Sequence, residues 1–157
     1  MSNEFNANDI FEMAVKIEQN GAIFYRDAAK QVSVEKYKDF LLELAAMEDD
    51  HEVTFATMQK ELSEDESMAT TFDPDDENAL YLKALADTRV FFAKEEPDHS
   101  LKGILGSAIQ AEKDSIAFYL GMKGLISAKS GKDKIDDIIK EEMSHIQLLA
   151  GKLAEYY

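Results

Sequence analysis

The stretch that decides the fold runs from Glu18 to His51, EQNGAIFYRDAAKQVSVEKYKDFLLELAAMEDDH, and returns 94 positions later as Glu112 to His145, EKDSIAFYLGMKGLISAKSGKDKIDDIIKEEMSH. In both copies a Glu is followed seven residues on by a Tyr, and further on by a second Glu with a His three residues behind it. The first copy places Glu18, Tyr25, Glu48 and His51; the second places Glu112, Tyr119, Glu142 and His145. A Glu from one helix plus Glu-x-x-His from the next, contributed twice, is the ligand set of a dinuclear metal site in the core of a four-helix bundle.

Working outward, apolar residues recur at helical spacing on both sides of each motif. A first helix is expected over about 8–30, capped by Asn8 or Asp9, with Phe11, Ala14, Val15, Glu18, Gly21, Ala22 and Tyr25 on one stripe. A second is expected over about 34–62, capped by Ser33, its stripe holding Tyr37, Leu41, Leu44, Ala45, Glu48, His51, Phe55, Met58 and Leu62. From 63 to 100 the text turns acidic and rich in turn formers, SEDESMATTFDPDDEN, with a short amphipathic piece over about 78–92 and a break at EEPDHS. A third helix over about 101–128 sends Leu105, Ala108, Ile109, Glu112, Ser115, Ile116 and Tyr119 inward. Gly131 is expected to close a tight turn. The fourth helix, over about 133–157, carries Ile135, Ile138, Ile139, Glu142, His145, Ile146, Leu149 and Leu153. Two hairpins joined by a long crossover with a short extra helix give an all-α, ferritin-like four-helix bundle as the fold class, in one domain spanning 1–157.

Composition agrees and narrows the function. Only 7 Gly and 2 Pro interrupt a chain rich in helix formers. A net charge of -15 repels phosphate backbones and acidic lipid surfaces, so no nucleic-acid and no membrane partner is expected. With 0 Cys, zinc-thiolate sites and iron-sulfur clusters cannot form in this sequence. The N-terminus has no basic region followed by an apolar run, and no stretch reaches the roughly 18 apolar residues of a membrane span, so a cytoplasmic location is expected.

All six candidate metal ligands, Glu18, Glu48, His51, Glu112, Glu142 and His145, fall on apolar stripes, where charge is normally absent. A plain bundle with buried, hydrogen-bonded Glu–His pairs is the competing explanation for a single copy, and the duplication argues against it. Four carboxylates in a dry core cost several kcal/mol each without compensation. Two divalent cations cancel them, and two trivalent ions with a bridging oxide again sum to zero, which suits a two-electron cycle. Glu48 and Glu142 are the natural bridges, Glu18 and Glu112 the terminal carboxylates, and His51 and His145 bind one ion each. Oxygen-rich, thiolate-free sites with one imidazole per metal suit two iron ions, with manganese or zinc as substitutes. Tyr25 and Tyr119 lie two turns beyond the terminal glutamates, as hydrogen-bond donors, as one-electron relays, or simply as core tyrosines. His99 reads as a surface histidine. Met143 is expected to face away from the ligand stripe, and no haem is assigned.

With these residues in place, the chain resembles the rubrerythrin branch of the ferritin-like superfamily over essentially its whole length, on Glu18, Glu48, His51, Glu112, Glu142 and His145. The resemblance implies a non-haem di-iron oxidoreductase that reduces peroxide or dioxygen or oxidises ferrous iron. The chain departs from the branch at two points. It lacks the four-cysteine rubredoxin-type domain, so an external electron-donor protein is implied, and Ser115 stands where an extra Glu follows the ligand of the third helix. A non-catalytic iron-handling bundle and a di-iron hydroxylase are the alternatives. The sequence ends with its fourth helix, which favours a homodimer over a storage cage, and the long crossover permits exchanged helices.

Overall fold

The computed structural model describes residues 7–61, 80–82, 84–85, 100–126 and 129–155. Four long helices form: α1 (Ala7–Gln31), α2 (Glu35–Glu61), α3 (Leu101–Leu125) and α4 (Lys129–Ala154). Each follows from a stripe of apolar residues at helical spacing that is stable only when it is buried against another helix. The main packing is α1 on α2 and α3 on α4, with α1 also against α3 and α2 against α4.

The core falls into two apolar clusters separated along the bundle axis. One holds Phe11, Ile17, Phe55, Phe118, Met122 and Ile135. The other holds Tyr25, Val32, Leu41, Leu44, Leu105 and Leu149. Along α1 and α4 the chain passes from the first cluster to the second; along α2 and α3 it passes the other way. The α2-to-α3 connection therefore returns along the length of the bundle, as the ferritin-like topology requires. Between the clusters lie Glu18, Glu48, Glu112 and Glu142, one from each helix. Surface pairs clamp each hairpin, Arg26 with Asp49 across α1 and α2 and Lys123 with Asp136 across α3 and α4.

Helix ends differ from the sequence expectation in four places. Asn8 lies inside α1, not at its cap, and accepts from Gln59 Nε2 through its side-chain oxygen at 2.9 Å, tying α1 to α2. Ser33 does not cap α2: the first-turn amides of Tyr37 and Lys38 donate to the Val34 carbonyl, which starts the helix at Glu35. α3 is capped by Ser100, whose hydroxyl accepts from the Gly103 amide at 3.1 Å, but it stops at Leu125 because buried Ile126 turns to extended backbone. α4 then begins at Lys129, so Gly131 is in its first turn and makes no turn of its own. A Cβ at Gly131 would sit 2.9 Å from Ile126 Cγ2, so this glycine permits close packing.

Of the crossover, Leu80–Leu82 and residues 84–85 are described, and are helical. Leu82 is buried in the first cluster, and Tyr81 donates to the Ala117 carbonyl of α3 at 2.9 Å. That contact needs Gly121, where a Cβ would lie 2.7 Å from the Tyr81 ring. The remainder of the expected 78–92 piece, together with Leu62 and His99, lies outside the described residues.

Candidate metal centre

Each helix delivers its acidic residue at mid-length, where its stripe crosses the gap between the two apolar clusters. All six sequence-predicted ligands arrive there, and none is more than 3% exposed. They form two overlapping groups: Glu18, Glu48, His51 and Glu142, and Glu48, Glu112, Glu142 and His145, with the candidate ligand atoms of each group within 4.8 Å of one another.

The two shared carboxylates divide their oxygens between the groups. His51 Nδ1 lies 2.8 Å from Glu142 Oε1 and 3.6 Å from both Glu48 Oε2 and Glu18 Oε2. His145 Nδ1 lies 3.5 Å from Glu142 Oε2, 3.7 Å from Glu48 Oε1 and 3.4 Å from Glu112 Oε1. Ligands of one ion with bonds of about 2.1 Å stand roughly 3–3.6 Å apart, a range that four of these six separations meet and that the other two, 2.8 Å and 3.7 Å, approach. Six atoms of the cluster, among them both imidazole Nδ1 atoms and both Glu142 oxygens, are buried without an aligned hydrogen bond. Buried polar atoms seldom go unsatisfied, so a cluster of them aimed at one point fits a bound cation. The two imidazole rings stack with centroids 5.8 Å apart.

Without metal, protons must neutralise the cluster. Burial, then the Glu112 carboxylate, pushes Glu142 up to about 8. Burial and then Glu142 hold Glu48 well above the usual carboxylate range. Burial opposes protonation of His145, but the close carboxylates of Glu112, Glu142 and Glu48 outweigh it and take the imidazole up to about 12. His51 is raised against burial in the same way, by Glu142, Glu18 and Glu48. Glu112 is the exception: burial would raise it, yet contacts with Glu142, His145 and Tyr25 bring it down to about 2.

The tyrosines cross between hairpins. Tyr25 on α1 donates to Glu112 Oε1 on α3 at 2.6 Å, and Tyr119 on α3 donates to Glu18 Oε1 on α1 at 2.5 Å. Spacing alone placed each near the glutamate of its own helix; the fold gives each to the other hairpin's. Burial first, and then the adjoining glutamate, raises both phenols well above their ordinary value, so they stay protonated as donors.

Ser115, in the place of a seventh carboxylate, is buried and turns its hydroxyl to the Ala111 carbonyl at 3.0 Å, away from any ligand role. Met143 is 50% exposed, on the far side of α4 from the ligands.

Two residues escaped the sequence reading. Glu141 contacts His51 Nε2, and Met47 Sδ lies 3.1 Å from His145 Nε2. They are counterparts in the repeat, each directly before a ligand Glu, which was the one available signal. A surface pocket lined by Asp50, His51, Thr54, Lys134, Asp137, Ile138 and Glu141 adjoins this contact. No helix among the described residues is long and apolar enough to cross a membrane.

Comparison with known proteins agrees with this architecture. No curated protein matches the sequence significantly. A crystal structure of a protein described as a ferritin-like diiron-carboxylate protein, from Thermotoga maritima, superposes with a TM-score of 0.74 at 24% identity, covering 100% of both chains. The likeness establishes the fold. The rubrerythrin family model matches residues 9–100, more than half the sequence, taking in α1, α2 and the connection to α3. With the ferritin-like fold and the buried Glu and His cluster beside that match, the chain belongs to the rubrerythrin family.

Proposed function

We propose that this protein is a non-haem di-iron oxidoreductase that reduces peroxide or dioxygen at the expense of ferrous iron. Glu18 and His51 would hold one ion and Glu112 and His145 the other, with Glu48 and Glu142 common to both groups. The observation that carries this reading is the division of each shared carboxylate's two oxygens between two histidine-centred groups. A set of structural Glu–His pairs has no need of that arrangement.

Iron bound there supplies one electron per ion to the oxidant. The protein's own share is electrostatic and geometric. Four carboxylates balance two divalent cations, and the apolar clusters at either end keep bulk water away from the charges. Tyr25 donates to Glu112 and Tyr119 to Glu18, which orients each carboxylate and holds a proton beside it. With no cysteine in the sequence, the electrons for further turnovers come from a separate donor protein.

The test is anaerobic loading with ferrous iron followed by rapid mixing with hydrogen peroxide or dioxygen. An oxo-diferric absorption band, and repeated peroxide consumption when an external donor is supplied, are expected. A second reading, binding or handling of iron without turnover, is favoured by the withdrawal of Ser115 into its own helix. Uptake of two ions with no turnover under the same conditions selects it.

A further inference from the structure

The six candidate ligands repeat in residue type between the two halves, but the groups behind the two histidines do not. Both rings turn Nδ1 toward the carboxylates and Nε2 outward, and the outward partner is supplied across the α2–α4 contact by the residue that precedes the bridging glutamate. For His51 that partner is the carboxylate of Glu141. For His145 it is the thioether of Met47, at 3.1 Å.

These partners differ greatly as acceptors. A carboxylate that accepts the Nε2–H fixes the tautomer with a free Nδ1 and strengthens Nδ1 as a donor to a cation. A thioether accepts weakly and carries no charge. Glu141 also keeps its side chain 61% exposed, at the edge of the pocket shared with Asp50, Lys134 and Asp137, so it acts on His51 from the solvent side without belonging to the core.

We propose that Glu141 is a positioning residue that makes the two ion positions unequal: the first divalent cation settles in the Glu18, Glu48, His51 and Glu142 group, and the position at His145 fills only at higher concentration. The inference rests on the dinuclear reading above and adds an order of filling, so that a singly loaded protein precedes the pair.

The experiment is an anaerobic titration of chelator-stripped protein with Co2+, followed by calorimetry and by the visible absorption of the bound ion. Two ions per chain are expected, in two resolved steps. Loss of such an outer partner typically weakens metal binding about 10–100-fold. Glu141→Met should therefore weaken the first step by about that factor and draw the two steps together. Met47→Glu, which gives His145 the same partner, should tighten the second. Asp137→Asn removes equal charge from the same pocket and should leave both steps in place. In crystals given one equivalent of Co2+, anomalous scattering should mark the His51 position.

Two equal sites in the unaltered protein, a first step indifferent to Glu141→Met, an equal loss from Asp137→Asn, or first occupancy at His145 would each overturn the proposal while leaving the dinuclear reading intact. Binding of fewer than two ions would overturn that reading and this one with it. Unfolding curves of the metal-free variants provide a separate readout. Glu141→Met takes the acceptor from the buried His51 Nε2 and should lower metal-free stability, but a general structural role would weaken both cation steps alike and would not draw the two together.

Discussion

Tyr25 on α1 donates its phenolic proton to Glu112 Oε1 on α3, and its repeat counterpart Tyr119 returns the bond to Glu18 on α1. The two hairpins are thus stitched together by a reciprocal pair of buried bonds, each ending on a candidate metal ligand. This relationship turns two similar halves into one centre, since each half orients a carboxylate belonging to the other.

Removing either hydroxyl leaves a buried carboxylate oxygen without its donor. Tyr25→Phe and Tyr119→Phe should each destabilise the metal-free protein by about 1.5–3 kcal/mol, the range for hydrogen bonds to charged groups. Urea denaturation monitored by far-ultraviolet circular dichroism measures it. Unchanged stability in both variants would reduce the tyrosines to packing.

The metal-free protein should lose stability as pH rises from about 6 to about 8. Glu142, lifted from an ordinary 4.5 to about 8, keeps a proton that the unfolded chain gives up, so folding weakens with rising pH across that window. His145, lifted from 6.5 to about 12, contributes stabilisation that is complete below 6.5 and declines as pH climbs toward the folded value. Glu112, lowered from 4.5 to about 2, acts oppositely, but its gain is already complete above 4.5 and cannot offset the fall. A drop of at least about 2 kcal/mol is expected, since a tenfold change in proton affinity is worth about 1.4 kcal/mol. Metal takes the place of these protons, so apparent metal affinity should rise over the same interval. Chemical denaturation across the pH series, and metal titrations at its two ends, measure the two trends.

Glu142→Gln removes the charge of a carboxylate shared by the two candidate groups while keeping the side chain's size. It should abolish binding of a second ion and raise the stability of the metal-free protein at pH 8 by about 1–3 kcal/mol, because three carboxylates still face the two imidazoles. Calorimetric stoichiometry and thermal melts report the two effects separately. A fall in metal-free stability would make Glu142 a structural partner of the histidines.

Gly121→Ala tests how the crossover docks on α3. Its new methyl would meet the Tyr81 ring at 2.7 Å and must push the 80–82 segment off the helix or force a side-chain shift. A loss of about 1–3 kcal/mol is expected, as for other overpacked contacts, although Ala is the better helix former. Thermal unfolding of the variant beside Tyr81→Phe, which deletes the bond to the Ala117 carbonyl but keeps the ring, separates crowding from hydrogen bonding.

The spacing of residues settled much of this protein before any folding was considered. Glu18, Glu48, His51, Glu112, Glu142 and His145 were readable because helical periodicity fixes which side chains share a face, and charge on an apolar face is conspicuous. The apolar runs on either side fixed the four helices, to within a few residues. Periodicity says nothing, however, about how far one helix is rotated or slid against its neighbour. That offset alone decided that Tyr25 meets Glu112 and not Glu18, that Gly131 and Gly121 serve close packing, and that Ser115 bonds its own helix. It also set Glu141 behind His51 and Met47 behind His145, a distinction that depends on the register of α2 against α4. The sequence by itself determined the candidate ligands and the helices of the bundle, because both are properties of single helices. Only the tertiary structure decided which group stands behind each ligand, because that is a property of pairs of helices in contact.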